Sequence, residues 1–221
     1  STAMYAYHAR GRNGVLPKQK GELGGPGGGN WISVKGERYE MAWLADVSGS
    51  GILDSCAQTT DVFGTYEKFL DGLGMNMFDN AVRTWVFVRD IDNHYRGMVE
   101  ARKAFFHERG LNQDTKYIAS TGIEGSTAEA GALVSLDVLS MGGLSNSQFV
   151  RMEALDHLSP TMRYGVTFER GMRIRYGDRS HLYISGTASV DREGRTIHRF
   201  DVRSQTSRTF ENVRALLEPH G

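Results

Sequence analysis

Apolar and polar residues alternate most clearly in residues 38–47, where Tyr39, Met41 and Trp43 share one face at the two-residue spacing of a strand. Residues 81–90 form a β-branched and aromatic run that is apolar on both faces for part of its length, as in a strand covered on both sides. These patterns predict two main strands. Shorter runs that also predict strands are residues 116–121 and 132–139.

Two segments in the first half of the chain show the three- and four-residue spacing of a helix with one buried face. The first covers residues 56–74, and we expect its N-cap among residues 59–61. The second begins at Asp92 or Asn93 and ends near Gly110. Each pattern predicts a helix that packs its apolar stripe on a sheet.

The last third of the chain predicts strands followed by one helix. Residues 163–168 and 172–176 are predicted strands around a turn, and residues 181–189 form a third strand. The helix that follows is capped by Asp201 and closes the chain. Its residues expected to face inward are Val202, Thr206, Phe210, Val213 and Leu217.

Composition shifts divide the chain into segments. Residues 10–30 are rich in Gly, Lys and Pro and are predicted to be a loop, because such a run suits neither a helix nor a central strand. Residues 141–159 lack a sustained period and mark a boundary between units. The predicted organisation is an N-terminal linker, a first unit and a second unit: residues 1–30, 31–145 and 160–221.

Charge and cysteine content exclude several classes of protein. Lys and Arg number 26 and so do Asp and Glu, which gives no positive field to attract nucleic acid or anionic lipid. No apolar run is long enough to cross a membrane. The only cysteine, Cys56, has no intramolecular disulfide partner, so we expect a buried thiol and a reducing, cytoplasmic compartment.

An internal repeat links the two parts of the chain. The strand that ends near Val47 is followed by a helix with the pair Gln58-Thr59, and the strand at 181–189 is followed by a helix with the pair Gln205-Thr206. Phe63 and Phe210 stand at the same later step of each helix. The order of elements repeats more clearly than the residues do.

The second copy consists of residues 182–189, the pair Gln205-Thr206 and residues 210–217. It closely resembles the opening half of RidA/YjgF-like proteins. Residues 81–125 look like the closing half of the same unit. The resemblance implies an α+β fold of RidA-like (chorismate-mutase-like) units, with a mixed β-sheet and helices packed on one face. It implies one full unit plus the first half of a second, so we expect the chain to be a fragment of a longer protein.

Within that superfamily the order of several short motifs resembles the chorismatase group, whose members are built from two RidA-like halves and hydrolyse chorismate. The motifs are Arg83-Thr84-Trp85, Gly97 with Arg102, residues 119–123, Tyr164-Gly165 and residues 185–189. RidA-like deaminases hold the substrate carboxylate with an arginine late in the unit. No arginine stands at the matching residues 117–121, which departs from the deaminase pattern.

Arg83 and Arg102 are the arginines at positions that resemble the chorismatase pattern, and a guanidinium pairs well with a carboxylate. A surface-paired arginine is the alternative interpretation of each. Glu124 is the candidate catalytic acid or base, although most glutamates are simply solvated. The other candidate substrate-binding residues are Thr121, Gly122, Tyr164, Ser185 and Thr187. The competing interpretation of Gly122 is a plain turn. The competing interpretation of Ser185 and Thr187 is that their hydroxyls bond to nearby backbone groups.

The sequence therefore predicts a RidA-like protein that binds a small carboxylate metabolite at a pocket between units and that is a candidate chorismatase-like hydrolase. An imine or enamine deaminase and a non-catalytic binding or assembly module are the alternatives. The resemblance implies a homo-oligomer, a trimer or a trimer-like assembly. We expect no cofactor, no metal, no nucleic acid and no membrane partner.

Overall fold

The computed structural model describes residues 14–25, 27–51, 54–125, 129–159, 161 and 167–220. Within these ranges the chain forms nine strands and four α-helices. In chain order they are β1 (Lys18–Glu22), β2 (Asn30–Lys35), β3 (Glu40–Ser48), α1 (Ser55–Gly72), α2 (Met77–Asn80), β4 (Ala81–Val88), α3 (Ile91–Glu108), β5 (Ala119–Glu124), β6 (Val134–Gly142), β7 (Phe149–Arg151), β8 (Gly171–Arg175), β9 (Ser180–Ile184) and α4 (Val202–Leu217).

The larger sheet has six strands in the order β1-β2-β3-β6-β4-β5. Strands β4 and β5 are parallel, because α3 connects them as a crossover, and the other neighbours are antiparallel. Helices α1 and α3 cover one face, and Phe63 of α1 lies 5.3 Å, between ring centres, from Phe106 of α3. The expected α+β class, with a mixed sheet and helices on one face, is confirmed.

A second sheet covers the other face of the first. It has three antiparallel strands in the order β7-β8-β9. Its residues Met172, Ile174 and Tyr176 pack with Val82 and Leu139 of the first sheet in a separate hydrophobic cluster. Strand β4, which carries Arg83, therefore has helices on one side and the second sheet on the other.

The start of α1 differs from the sequence prediction. The N-cap is Asp54, whose carboxylate accepts a hydrogen bond from the Cys56 backbone N at 2.8 Å. The expected caps Thr59 and Thr60 lie inside the helix, where their hydroxyls donate to the carbonyl oxygens of Ser55 and Cys56. Cys56 is exposed, so the expectation of a buried thiol was wrong. In the first turn of α1 the side chain of Cys56 is not on the face that packs on the sheet.

The segment predicted to be an N-terminal loop contains a strand. Lys18–Glu22 pairs antiparallel with Asn30–Lys35 and forms the edge of the six-stranded sheet. A Cβ atom at Gly21 would lie 2.9 Å from the Trp31 indole, so glycine is needed there for close approach rather than for a turn. The glycine-rich composition predicted the connection between β1 and β2 correctly, since the described residues 23–25 and 27–29 are in neither a helix nor a strand, but it did not predict the edge strand before it.

Helix α4 exposes the face that the sequence pattern predicted to be buried. Val202 is 77% exposed and Phe210 is 69% exposed, whereas Asn212 and Leu216 are the buried residues. The Asn212 amide donates to the carbonyl oxygens of Ala188 and Val190 at 3.0 and 3.1 Å, which holds the helix by a polar side chain. The prediction of the inward face was wrong for Val202 and Phe210 but right for Leu217, which packs on the cluster that contains Leu216.

The strands predicted near the second sheet are partly confirmed. Gly171–Arg175 matches the prediction for residues 172–176, and the strand predicted at 181–189 ends at Ile184. Most of the segment 163–168 lies outside the described residues, and Thr167 and Phe168 are not in a strand. A hairpin followed by a helix thus occurs twice in the described chain, as β2-β3-α1 and as β8-β9-α4.

Two kinds of feature are absent from the described ranges. No helix there combines the length and apolarity that crossing a membrane requires. No group of three or more His, Cys, Asp and Glu side chains there is arranged to hold a metal ion.

Candidate functional site

Arg83 is a buried guanidinium on the sheet face that the second sheet covers. It lies on β4 opposite Ala119 of β5, and its side chain is 4% exposed. Its Nη1 donates to the carbonyl oxygen of Thr84 at 2.7 Å, and its Nη2 donates to the Thr121 hydroxyl. Its guanidinium carbon lies 4.7 Å from the centre of the Trp85 ring. All of its hydrogen-bond partners among the described residues are neutral oxygen atoms.

Arg102 comes from α3 and reaches the opposite face of β5. Its Nε donates to the Thr167 hydroxyl at 3.2 Å, and its Nη1 donates to the Ser120 hydroxyl at 3.3 Å. Its Nη2 has no hydrogen-bond partner in the described chain. Ser120 and Thr121 are neighbours on one strand, so their side chains point to opposite faces. Arg83 and Arg102 are therefore not brought into one pocket.

The electrostatics of the two arginines are alike. Burial lowers the pKa of Arg83 to about 10, and burial also lowers the pKa of Arg102 to about 10. Each guanidinium remains charged at neutral pH. Neither forms an ion pair with an acidic side chain among the described residues. A buried charge without a counter-ion is costly, so both positions favour an anion.

Ser185 joins the two sheets. Its hydroxyl accepts a hydrogen bond from the Ser120 backbone N at 2.9 Å and donates to the Glu169 carbonyl oxygen at 2.5 Å. The Gly186 backbone N donates to the Ser120 carbonyl oxygen at 3.3 Å. The Thr187 hydroxyl donates to the Ser185 carbonyl oxygen at 3.0 Å. These hydroxyls satisfy backbone groups, which supports the alternative interpretation made from the sequence.

Gly186 brings this junction close to Arg83. A Cβ atom there would lie 3.2 Å from the Thr121 side chain, so the absence of a side chain lets the segment after β9 pass against β5. Thr121 in turn accepts from Arg83. The structure therefore brings together Arg83, Thr121 and the Ser185–Thr187 segment on one side of β5.

Glu124 and Gly122 lie apart from that group. Glu124 is exposed, and its carboxylate accepts hydrogen bonds from the backbone N of Asp90 and of Ile91 at 3.1 and 2.7 Å, at the start of α3. It lies five residues after Ala119, about 16 Å along the strand from the level of Arg83. Gly122 faces α3, where a Cβ atom would lie 3.3 Å from Met98. Tyr164 lies outside the described residues.

The sequence interpretation missed a half-buried carboxylate at the same junction. Glu169 accepts a hydrogen bond from the Tyr117 backbone N at 2.7 Å, and Arg151 lies 4.0 Å from it. Burial raises the pKa of Glu169 above its ordinary value. Glu169 and Tyr117 are far apart in sequence and share no motif, so no local signal identifies this contact.

A cleft opens beside β5, between α2 and β7. Its volume is about 590 Å³, which is within the usual range of small-molecule sites. Its lining includes Phe78, Lys116, Phe149, Arg151, Glu153 and Met172. None of the site residues predicted from the sequence lines this cleft, whose lining comes from separate stretches of the chain that share no motif.

Comparison with known proteins gives matches to solved structures alone. No family model matches the sequence, and no curated protein matches it. A YjgF-family protein from Neisseria meningitidis is 16% identical over 49% of this chain and 82% of its own, with a TM-score of 0.41. A member of the same family from Mycobacterium tuberculosis is 25% identical over 49% and 82%, with a TM-score of 0.38. The YjgF gene product from E. coli is 17% identical over 50% and 85%, with a TM-score of 0.39.

Proposed function

We propose that this chain binds a small carboxylate metabolite at the junction of its two sheets, with Arg83 pairing with the carboxylate. The observation that carries the proposal is the state of the Arg83 guanidinium, which is buried and bonded to neutral oxygen atoms alone among the described residues. A guanidinium in that state gains a charge-assisted, bidentate partner when a carboxylate arrives.

The surroundings of Arg83 suit an unsaturated or ring-shaped carboxylate. Trp85 lies under the guanidinium, and the Trp43 ring is stacked on Trp85 with 6.1 Å between ring centres. Both indoles are half-buried, so they offer flat apolar surface beside a cation. Thr121 supplies a hydroxyl on the same face.

The resemblance to the chorismatase group makes chorismate the first ligand to test, and hydrolysis of chorismate is the catalytic form of this proposal. A general acid or base is required for hydrolysis, and the exposed Glu124 lies at another end of β5. Binding is therefore the part of the function that the described geometry supports best. The role of Arg102 in this proposal is to position β5, through Ser120 and Thr167.

Calorimetry on the whole chain tests the proposal with chorismate, benzoate, pyruvate and 2-oxobutyrate. We expect at least one of them to bind, and Arg83→Met to weaken that binding by about tenfold or more, as for a lost charge-assisted hydrogen bond. Arg96→Met is the matched control, because Arg96 is 89% exposed on α3. No binding of any of the four ligands, or equal binding by Arg83→Met, would contradict the proposal.

Activity assays separate an enzyme from a binding module. The whole chain is assayed for chorismate hydrolysis and for imine deamination with the same two variants. Turnover that falls with Arg83→Met and survives Arg96→Met supports an enzyme. Ligand binding without turnover supports the non-catalytic module.

A further inference from the structure

The cleft between α2 and β7 has an apolar wall. Phe78, Phe149 and Met172 line it, and they come from the first unit, from β7 and from β8. The wall is accessible in the single chain, since Phe78 and Phe149 are each half-buried. A wall of two phenyl rings and a thioether favours an apolar or aromatic group of a ligand.

Lys116 supplies a cation to the cleft that has no acceptor. Its Nζ lies 4.7 Å from the centre of the Phe78 ring and 5.5 Å from that of Phe149. An ammonium carries three donors, yet Lys116 makes no hydrogen bond or ion pair with the described residues. Burial lowers the pKa of Lys116, and the nearby carboxylates of Asp79 and Glu169 offset that effect only in part, without bonding to the ammonium.

Acidic groups balance the cations around the cleft. Glu153 lines the cleft, is exposed and has no bonded partner among the described residues. Arg151 donates to the Thr115 carbonyl oxygen and lies 4.0 Å from Glu169. A ligand with only a carboxylate would leave Glu153 facing a like charge. A ligand with only an ammonium would leave Lys116 unpaired.

We propose that this cleft binds a free α-amino acid with an aromatic or large apolar side chain, as a second site separate from Arg83. The carboxylate of the amino acid pairs with Lys116, and its ammonium group pairs with Glu153. Its side chain packs on Phe149 and Met172. The proposal does not rest on the carboxylate site at Arg83, because none of the cleft residues is hydrogen-bonded to that arginine.

Three probes that differ by one charged group test the ligand class in calorimetry on the whole chain. They are L-phenylalanine, 3-phenylpropionate, which lacks the ammonium group, and phenethylamine, which lacks the carboxylate. We expect L-phenylalanine to bind saturably and each of the other two to bind about tenfold more weakly or worse. Equal binding of 3-phenylpropionate, or no saturable binding of L-phenylalanine at millimolar concentration, would overturn the proposal.

Variants locate the binding to the cleft. Lys116→Met and Glu153→Gln are each expected to weaken L-phenylalanine binding about tenfold, whereas Lys116→Arg keeps a cation and retains most of the affinity. Lys103→Met is the matched control, because Lys103 is exposed on α3. Circular dichroism confirms that each variant is folded. Unchanged affinity in Lys116→Met would place the amino acid elsewhere and reject the assignment.

Discussion

The guanidinium carbon of Arg83 lies 4.7 Å from the centre of the Trp85 ring, and no acidic side chain of the described chain is bonded to it. The ring offers a cation–π contact of about 0.5–1 kcal/mol at exposed sites and somewhat more when desolvated. That contact and two neutral hydrogen bonds do not offset the loss of water around a buried charge. Arg83 is thus held at a cost to the fold, as expected of a binding residue.

Arg83→Met is therefore expected to raise the free energy of unfolding by about 1 kcal/mol, because an apolar side chain of similar length removes the desolvation cost. Urea denaturation of the whole chain measures the change. Arg96→Met on the exposed side of α3 should leave the free energy of unfolding unchanged. Marked destabilisation by Arg83→Met would indicate a structural role and count against the proposed carboxylate site.

Ser185→Ala is expected to destabilise the chain by about 1–3 kcal/mol, because it leaves the buried Ser120 backbone N without its acceptor. Denaturant titration followed by circular dichroism gives the free energy of unfolding. Ser207→Ala, at an exposed position of α4, is the matched control. If the two variants were equally stable, the Ser185 hydroxyl would not be holding the sheets together.

Glu169→Gln is expected to stabilise the chain at neutral pH and to have a smaller effect in acid. The folded-state pKa of Glu169 is raised by burial, so the folded state binds this proton more tightly than the unfolded state. In the wild type, the stabilisation that comes from this tighter proton binding is fully present below the unfolded-state pKa of about 4.3. It is lost as the pH rises through the folded-state pKa. The glutamine amide keeps an acceptor for Tyr117 and carries no charge.

Unfolding free energies of wild type and Glu169→Gln at a series of pH values measure this difference. The advantage of the variant should grow as the pH rises through the folded-state pKa of Glu169. Glu37→Gln, at an exposed position, should differ from the wild type in unfolding free energy by the same amount at every pH in this range. If the stability advantage of Glu169→Gln over the wild type instead shrank as the pH rises, the folded state would favour the ionised carboxylate.

Glu124→Ala is expected to lower the free energy of unfolding by about 1 kcal/mol, because the carboxylate accepts from two backbone N–H groups where α3 begins. Glu124→Gln should lower the free energy of unfolding by a smaller amount, since the amide keeps an oxygen acceptor. Thermal denaturation compares the two variants. Loss of chorismate turnover in Glu124→Gln at unchanged stability would instead restore the catalytic role that the sequence suggested.

Local patterns determined much of the fold. The alternation around Met41 predicted β3, the run around Val86 predicted β4, and the spacing of apolar residues predicted α1 and α3. These elements were predictable because strand and helix periods appear within about a dozen consecutive residues. The cap at Asp201 was predicted correctly for the same reason, since its carboxylate accepts from Ser204 only three residues later.

Tertiary structure alone decided the site. Arg83 and Arg102 both stand at positions that resemble the chorismatase pattern in the sequence, yet the alternation of Ser120 and Thr121 along β5 separates them onto opposite faces. The contact of Glu169 with Tyr117 joins the segment before β8 to the segment before β5, and no local period encodes it. Side-chain spacing specifies which face of an element a residue occupies, whereas the partner of that face is set by packing between elements that are distant in sequence.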